Sequence, residues 1–180
     1  MELKSERLIF KEIDITDVEN IYQLHSSPEV DEFGTLGIPQ NIEETKKRVN
    51  SMISAQSNEI RKSYNWKIIR KDTNCFIGLA GISLSLDKFK LGEIYYELHP
   101  DFWGNGYGTE ISKELIKTGF SKFHLHKVEA GVATENTKSI RILEKCGMNK
   151  EGLRRKILPI RGEWKDNYHY AIVEDDPREY

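Results

Sequence analysis

The spacing of apolar residues changes twice along the chain, and this change limits the folds that are open to it. Between Trp66 and Leu98, apolar residues recur at alternate positions, as in β-strands, and polar turns interrupt them at 71–74 and 87–90. Before and after this stretch they recur at spacings of three and four residues, as in amphipathic helices. The pattern predicts a three-stranded antiparallel meander between helical segments.

Further elements follow from the same signals. Residues 7–12, 127–133, 152–158 and 168–173 are predicted strands, and helices are predicted after Asp17, Asn41, Gly106 and Asn136. Trp66, Tyr95, Tyr96 and Trp164 are predicted to lie in the core. No repeat or linker divides the chain, so residues 1–180 are predicted to form a single domain with a charged tail at 174–180. The expected class is α/β (α+β), with a mixed, mostly antiparallel sheet of six to seven strands and about four flanking helices.

Composition excludes several classes of function. The chain carries 27 Lys and Arg against 29 Asp and Glu, a formal charge of −2, which argues against a nucleic-acid binder. No apolar run is long enough to cross a membrane, and the charged N-terminus lacks an apolar signal segment. Cys75 and Cys146 stand alone, without the spacing of a zinc site or a disulfide framework. We therefore expect a cytoplasmic protein without a metal.

A glycine-rich segment at 103–109 carries the most chemical information. It lies between a predicted strand and a predicted helix, where unpaired N–H groups and the helix dipole favour an anion. A merely flexible loop is the alternative. The spacing fits neither a P-loop, which needs a following Lys-Ser or Lys-Thr, nor G-x-G-x-x-G, because Thr109 stands where the third glycine would be.

The segment resembles the acyl-CoA pyrophosphate loop, [RQ]-x-x-G-x-[GA], of the GCN5-related N-acetyltransferases (GNAT). Gly106 and Gly108 match its small residues, and Trp103 occupies the Arg/Gln place, as in the Rim-type branch that acetylates ribosomal-protein N-termini. Five further segments resemble that branch: Ser5-Glu6-Arg7-Leu8, 92–98, 135–148, 151–154 and 162–166. The resemblance spans residues 5–174 and implies a GNAT-like fold.

The resemblance implies direct transfer of an acetyl group from acetyl-CoA to an amine, with no metal. The pyrophosphate would be held beside Trp103 by the backbone amides of Gly104, Asn105, Gly106, Tyr107, Gly108 and Thr109. The Leu98 amide region would face the thioester, and Asn136 would contact the pantetheine arm unless it serves only as a helix cap. Many relatives have a tyrosine as general acid seven residues after this asparagine. Leu143 stands there, so Ser139, or an ordered water, is the expected proton donor.

Carboxylates on the central strand are the candidate bases. Glu93, Tyr95 and Glu97 alternate onto one face, and Glu97 is favoured because it adjoins Leu98. Solvated or structural carboxylates are the alternative interpretation, and His99 is a further candidate base.

The predicted acceptor is the N-terminal α-amine of a ribosomal protein. A small amine such as a polyamine or antibiotic, or a non-catalytic acyl-CoA sensor, are the alternatives. A homodimer is possible.

Overall fold

A computed structural model describes residues 1–180. The strands are β1 (Leu3–Lys4), β2 (Leu8–Glu12), β3 (Ser63–Arg70), β4 (Phe76–Leu84), β5 (Leu91–Leu98), β6 (Lys127–Ala133), β7 (Asn149–Ile160) and β8 (Glu163–Val173). The helices are α1 (Val18–His25), α2 (Pro28–Asp31), α3 (Ile42–Gln56), α4 (Tyr107–Ser121) and α5 (Thr137–Lys145). All eight strands form one sheet in the order β1-β2-β3-β4-β5-β6-β8-β7. Every neighbouring pair is antiparallel except β5 and β6.

The predicted class and the central meander β3-β4-β5 are confirmed. The structure has eight strands against the six to seven expected, and five helices against about four. The additional elements are β1, with two residues, and α2, with four. Neither is long enough to repeat a hydrophobic period, so the pattern that identifies longer elements cannot reveal them.

The sheet has a hydrophobic core on each face. The larger core lies under α4 and α5 and includes the fully buried Trp66, Ile111 and Leu115. The smaller one joins α1 and α3 to the sheet through Ile21, Leu24 and Val49. The prediction that Trp164 is buried was wrong: it is 62% exposed.

Trp164 lies near the turn of the β7–β8 hairpin, where most of the paired residues of β7 are exposed. The predicted tail packs on the body of the protein instead of extending from it. Tyr180 donates a hydrogen bond to the Cys146 carbonyl, and the Arg178 guanidinium lies 4.2 Å from the centre of the Phe120 ring. None of the helices has the length and apolar character that crossing a membrane requires.

The two parallel strands separate along their length, and this separation positions the site. β5 pairs with β6 only from Leu91 to Glu93, against 127–129, although β5 continues to Leu98. Its other edge remains paired with β4 throughout. The second half of β5 therefore borders a gap in the sheet.

Candidate functional site

A cleft of about 960 Å³ lies at this gap. It is lined by the C-terminal half of β5, the glycine-rich segment, the start of α5, and α2 with the residues after it. Of the predicted site residues, it brings together Glu97, Leu98, Trp103, Gly104, Gly106, Tyr107, Gly108, Thr109, Asn136 and Ser139. Asn105 and Glu93 do not line it.

The glycine-rich segment is held in a shape that leaves the start of α4 open. Gly104 and Gly106 have φ values of +77° and +80°, in the left-handed region that favours glycine. Trp103 donates from Nε1 to the Leu98 carbonyl at 2.8 Å, which ties the loop to the end of β5. No side chain caps α4, whose N-cap is Gly106. The first amides of α4 are therefore free to bind an anion.

Residues near the N-terminus fix this loop from outside the cleft. Arg7 donates from Nε to Glu110 Oε2 at 2.7 Å and from Nη1 to the Asn105 carbonyl at 3.0 Å, and its guanidinium lies over the Tyr107 ring. Ser5 donates to Glu110 Oε1 at 2.6 Å. Burial alone would raise the pKa of Glu110, but the hydrogen bonds from Ser5 and Arg7 outweigh it and lower that pKa. The sequence motif around Arg7 thus supports the loop from more than 100 residues away.

We expect Arg7→Ala to weaken acetyl-CoA binding about tenfold, because the loop loses the bond that fixes the Asn105 carbonyl. Titration calorimetry with acetyl-CoA measures the change. Arg154→Ala, on exposed β7, is the control and is expected to bind as the wild type does. An unchanged Kd in Arg7→Ala would show that the loop keeps its shape without this anchor.

The backbone of β5 presents an amide to the gap at Leu98. His99 donates its N–H to the Ile77 carbonyl on β4 at 2.9 Å. Because N–H groups alternate along a strand, the Leu98 N–H points away from β4, toward the gap. Gly78 makes this arrangement possible: a Cβ there would lie 2.0 Å from the Glu97 carbonyl oxygen. The predicted position of this amide agrees with the strand geometry.

Of the candidate bases, only Glu97 lines the cleft. Glu97 Oε2 lies 2.8 Å from Nε2 of His25. His25 is a buried residue of α1 that no sequence motif singled out as part of a site. Glu93 is exposed on the same strand face, about 13 Å farther along the strand. His99 accepts a hydrogen bond from Asp101 N and does not line the cleft.

The start of α5 brings two polar side chains to the cleft. Asn136 Oδ1 accepts from Ser139 N at 3.1 Å, so Asn136 is the predicted helix cap. Its amide nitrogen makes no hydrogen bond within the chain and remains available to a ligand. Ser139 Oγ accepts from the Tyr96 hydroxyl at 3.1 Å. Leu143 is buried in the core.

Positively and negatively charged side chains line opposite sides of the cleft. Lys138, Arg141 and Lys145 project from α5, and Lys138 Nζ lies 4.7 Å from the centre of the Trp103 ring. Glu29, Glu32 and Glu135 line the side near α2, and none of the three forms an ion pair. The arrangement suits a substrate with anionic groups on the α5 side and a cationic one on the α2 side.

A group of potential metal ligands lies outside the cleft. Ligand atoms of Glu129, Glu151 and His169 are within 4.8 Å of one another. The Lys127 ammonium is 2.6 Å from Glu151 Oε2 and 3.8 Å from Glu129 Oε1, so a cationic side chain already pairs with both carboxylates.

Comparison with known proteins gives a consistent result. Residues 7–149 match the family model described as an acetyltransferase (GNAT) domain. The uncharacterised N-acetyltransferase YoaA of Bacillus subtilis (strain 168) is 32% identical to this chain, over 98% of each.

Two solved structures share the fold. RimL, a ribosomal-protein α-N-acetyltransferase in complex with coenzyme A, has a TM-score of 0.86 and 17% identity, over 98% of this chain and 100% of its own. Spermidine N-acetyltransferase of Vibrio cholerae, in complex with CoA and spermine, has a TM-score of 0.81 and 19% identity, over 94% and 97%. With these matches, the chain belongs to the GNAT family and is an acetyl-CoA-dependent N-acetyltransferase.

Proposed function

We propose that this protein transfers an acetyl group from acetyl-CoA to the α-amine at the N-terminus of a protein, a ribosomal protein being the favoured acceptor. The observation that carries the proposal is the position of Glu97. It is a carboxylate on the α2 side of the cleft, and it adjoins the Leu98 amide at the gap.

The residues on the α5 side fit acetyl-CoA. The first amides of α4 are uncapped, and the glycines leave room for a diphosphate to approach them. A Cβ at Gly106 would point toward Arg7, at 3.5 Å, on the side of the loop away from the cleft. Lys138, Arg141 and Lys145 supply positive charge for the phosphates. The amide nitrogen of Asn136 would bind the pantetheine arm.

The reaction follows from the groups at the gap. Glu97 takes a proton from the ammonium form of the acceptor, directly or through water, and the neutral amine attacks the thioester carbonyl carbon. The new C–N bond forms while the Leu98 N–H donates to the developing oxyanion. The C–S bond then breaks and the nitrogen gives up its second proton, which reaches the departing CoA sulfur through the Ser139 hydroxyl and makes the thiol.

The choice of acceptor rests on the strength of the base. An α-amine has a pKa of about 8, whereas a lysine or polyamine amine lies near 10.4. A single carboxylate paired with one histidine can deprotonate the first far more easily than the second. The favoured acceptor is therefore an α-amine.

A polyamine is the second candidate, and one observation favours it. Glu29, Glu32 and Glu135 are free of ion pairs and would hold the additional ammonium groups of a polycation.

A direct competition decides between the acceptors. The enzyme is given acetyl-CoA with equal concentrations of spermidine, an unblocked peptide, and the same peptide with a blocked N-terminus and one lysine, and the products are identified by mass spectrometry. We expect acetylation of the free α-amine at least tenfold faster than of the other two. Preferred acetylation of spermidine would support the polyamine candidate. CoA binding without acetylation of any amine would indicate a sensor.

A further inference from the structure

A partly buried tyrosine beside Ser139 has no role in the reaction as described so far. Tyr96 is on β5, between the gap and α4, and it lines the cleft. Its ring is confined: a Cβ at Gly108, in the first turn of α4, would lie 3.3 Å from Tyr96 Cε2 and 2.8 Å from Ile142 Cδ1. The ring therefore packs against the first turn of α4, where the absence of a side chain at Gly108 leaves room for it.

The hydroxyl of Tyr96 has one partner in the chain. It donates to Ser139 Oγ at 3.1 Å, across the join between β5 and α5. The backbone of Ser139 is fixed as well, because its N–H donates to Asn136 Oδ1 at 3.1 Å. Both the position of Ser139 and the direction from which its oxygen receives a hydrogen bond are thus defined.

We propose that Tyr96 is a positioning residue for Ser139, which it orients so that the serine O–H points at the departing CoA sulfur. A serine hydroxyl can rotate freely and can accept as well as donate. When Tyr96 donates to Ser139 Oγ, the serine proton is turned away from the tyrosine, toward the cleft. Donation by Tyr96 also polarises the serine O–H and strengthens the bond that it makes in turn.

The tyrosine is suited to donate without losing its proton. Burial raises the pKa of Tyr96 to about 12, so it stays protonated over the whole range in which the enzyme operates. Because this pKa exceeds that of a thiol, at about 8.5, the tyrosine holds its proton while the sulfur leaves. The proton that makes the thiol is the second proton of the attacking nitrogen, which the product amide must lose. It reaches the sulfur through the Ser139 hydroxyl, which gives one proton as it receives another, so the hydroxyl pair is unchanged after each turnover.

The inference rests on the proposed role of Ser139, and the test separates the two. Tyr96→Phe keeps the ring and removes only the hydroxyl. We expect kcat to fall about tenfold, with an unchanged Kd for acetyl-CoA, because the bond to sulfur strengthens only as the C–S bond breaks. Ser139→Ala should lower kcat by about a hundredfold or more. The double variant should have the same kcat as Ser139→Ala, because the tyrosine hydroxyl acts only through the serine.

A matched control is available in Tyr170, which donates from β8 to Glu144 on the same helix at 3.1 Å. Tyr170→Phe also removes a bond between the sheet and α5, but outside the cleft, and it should keep the wild-type kcat. Two results would overturn the inference while leaving Ser139 as the donor. One is a wild-type kcat in Tyr96→Phe. The other is a double variant whose fold-loss in kcat equals the product of the two single fold-losses. A normal kcat in Ser139→Ala would overturn both.

Discussion

We expect Gly106→Val to abolish the rise in melting temperature that acetyl-CoA gives the wild-type protein. Gly106 is the N-cap of α4 at φ +80°, a conformation that a β-branched residue adopts only under strain. The substitution would displace the amides at the start of α4, to which the diphosphate is proposed to bind, and would crowd Arg7, which lies 3.5 Å from the added Cβ and holds the loop. Loss of two charge-assisted hydrogen bonds amounts to about 3–6 kcal/mol, or roughly two to four powers of ten in Kd.

Thermal denaturation with acetyl-CoA, ATP and NAD measures this effect. A ligand at about 100 times its Kd stabilises the wild type by roughly 2.7 kcal/mol, and we expect this only with acetyl-CoA. Gly162→Val is the matched control: its φ is +79° and no atom lies within 4 Å of the added Cβ, but it is in the β7–β8 turn, outside the cleft. It should lose similar intrinsic stability and keep the response to acetyl-CoA. A normal response in Gly106→Val would remove the loop from the binding site.

The second large effect is expected for Glu97→Gln. The amide keeps the size of the side chain but cannot accept a proton, so kcat/KM should fall by a factor of about 10² to 10⁴ at low pH. At pH 6.5 only about one α-amine in thirty is neutral, and the variant can acetylate only that neutral fraction. As the pH rises past about 8, the amine loses its proton to water, and the rate of the variant should partly recover.

The pH profile of kcat/KM from 6 to 9 measures this dependence. Glu93→Gln changes the same residue type on the same strand face, outside the cleft, and its profile should follow that of the wild type. A wild-type profile in Glu97→Gln would be incompatible with the carboxylate as base. Loss of activity in Glu93→Gln would transfer the role to that residue.

Much of the fold could be predicted because its signals are local. Alternation along β3, β4 and β5 identified the meander, and Asn41 and Asn136 were predicted caps whose side chains do accept from the first turn. β1 and α2 escaped detection because they are too short to show a period. The separation of β5 from β6 is a property of the packed sheet, and the sequence of neither strand encodes it visibly.

In the site as well, local features could be predicted from the sequence and contacts between distant residues could not. The glycine-rich segment, Glu97 and Ser139 could be selected from motifs within short stretches of sequence. Their supporting partners could not, because the contacts join distant positions: Arg7 to Glu110 spans 103 residues, His25 to Glu97 spans 72, and Tyr96 to Ser139 spans 43. An aromatic residue such as Tyr96 is usually part of a core, and only its hydrogen bond to Ser139 distinguishes it.

In the proposed mechanism, one cleft holds the cofactor on its α5 side and deprotonates the amine on its α2 side. The most direct test measures acetyl-CoA binding and turnover together in Gly106→Val and Glu97→Gln. We predict opposite behaviour. Gly106→Val should lose the thermal shift with acetyl-CoA, whereas Glu97→Gln should keep the full shift and lose amine-dependent release of CoA thiol at pH 6.5. Equal loss of binding in the two variants, or turnover that persists in Glu97→Gln at that pH, would contradict this division of the cleft.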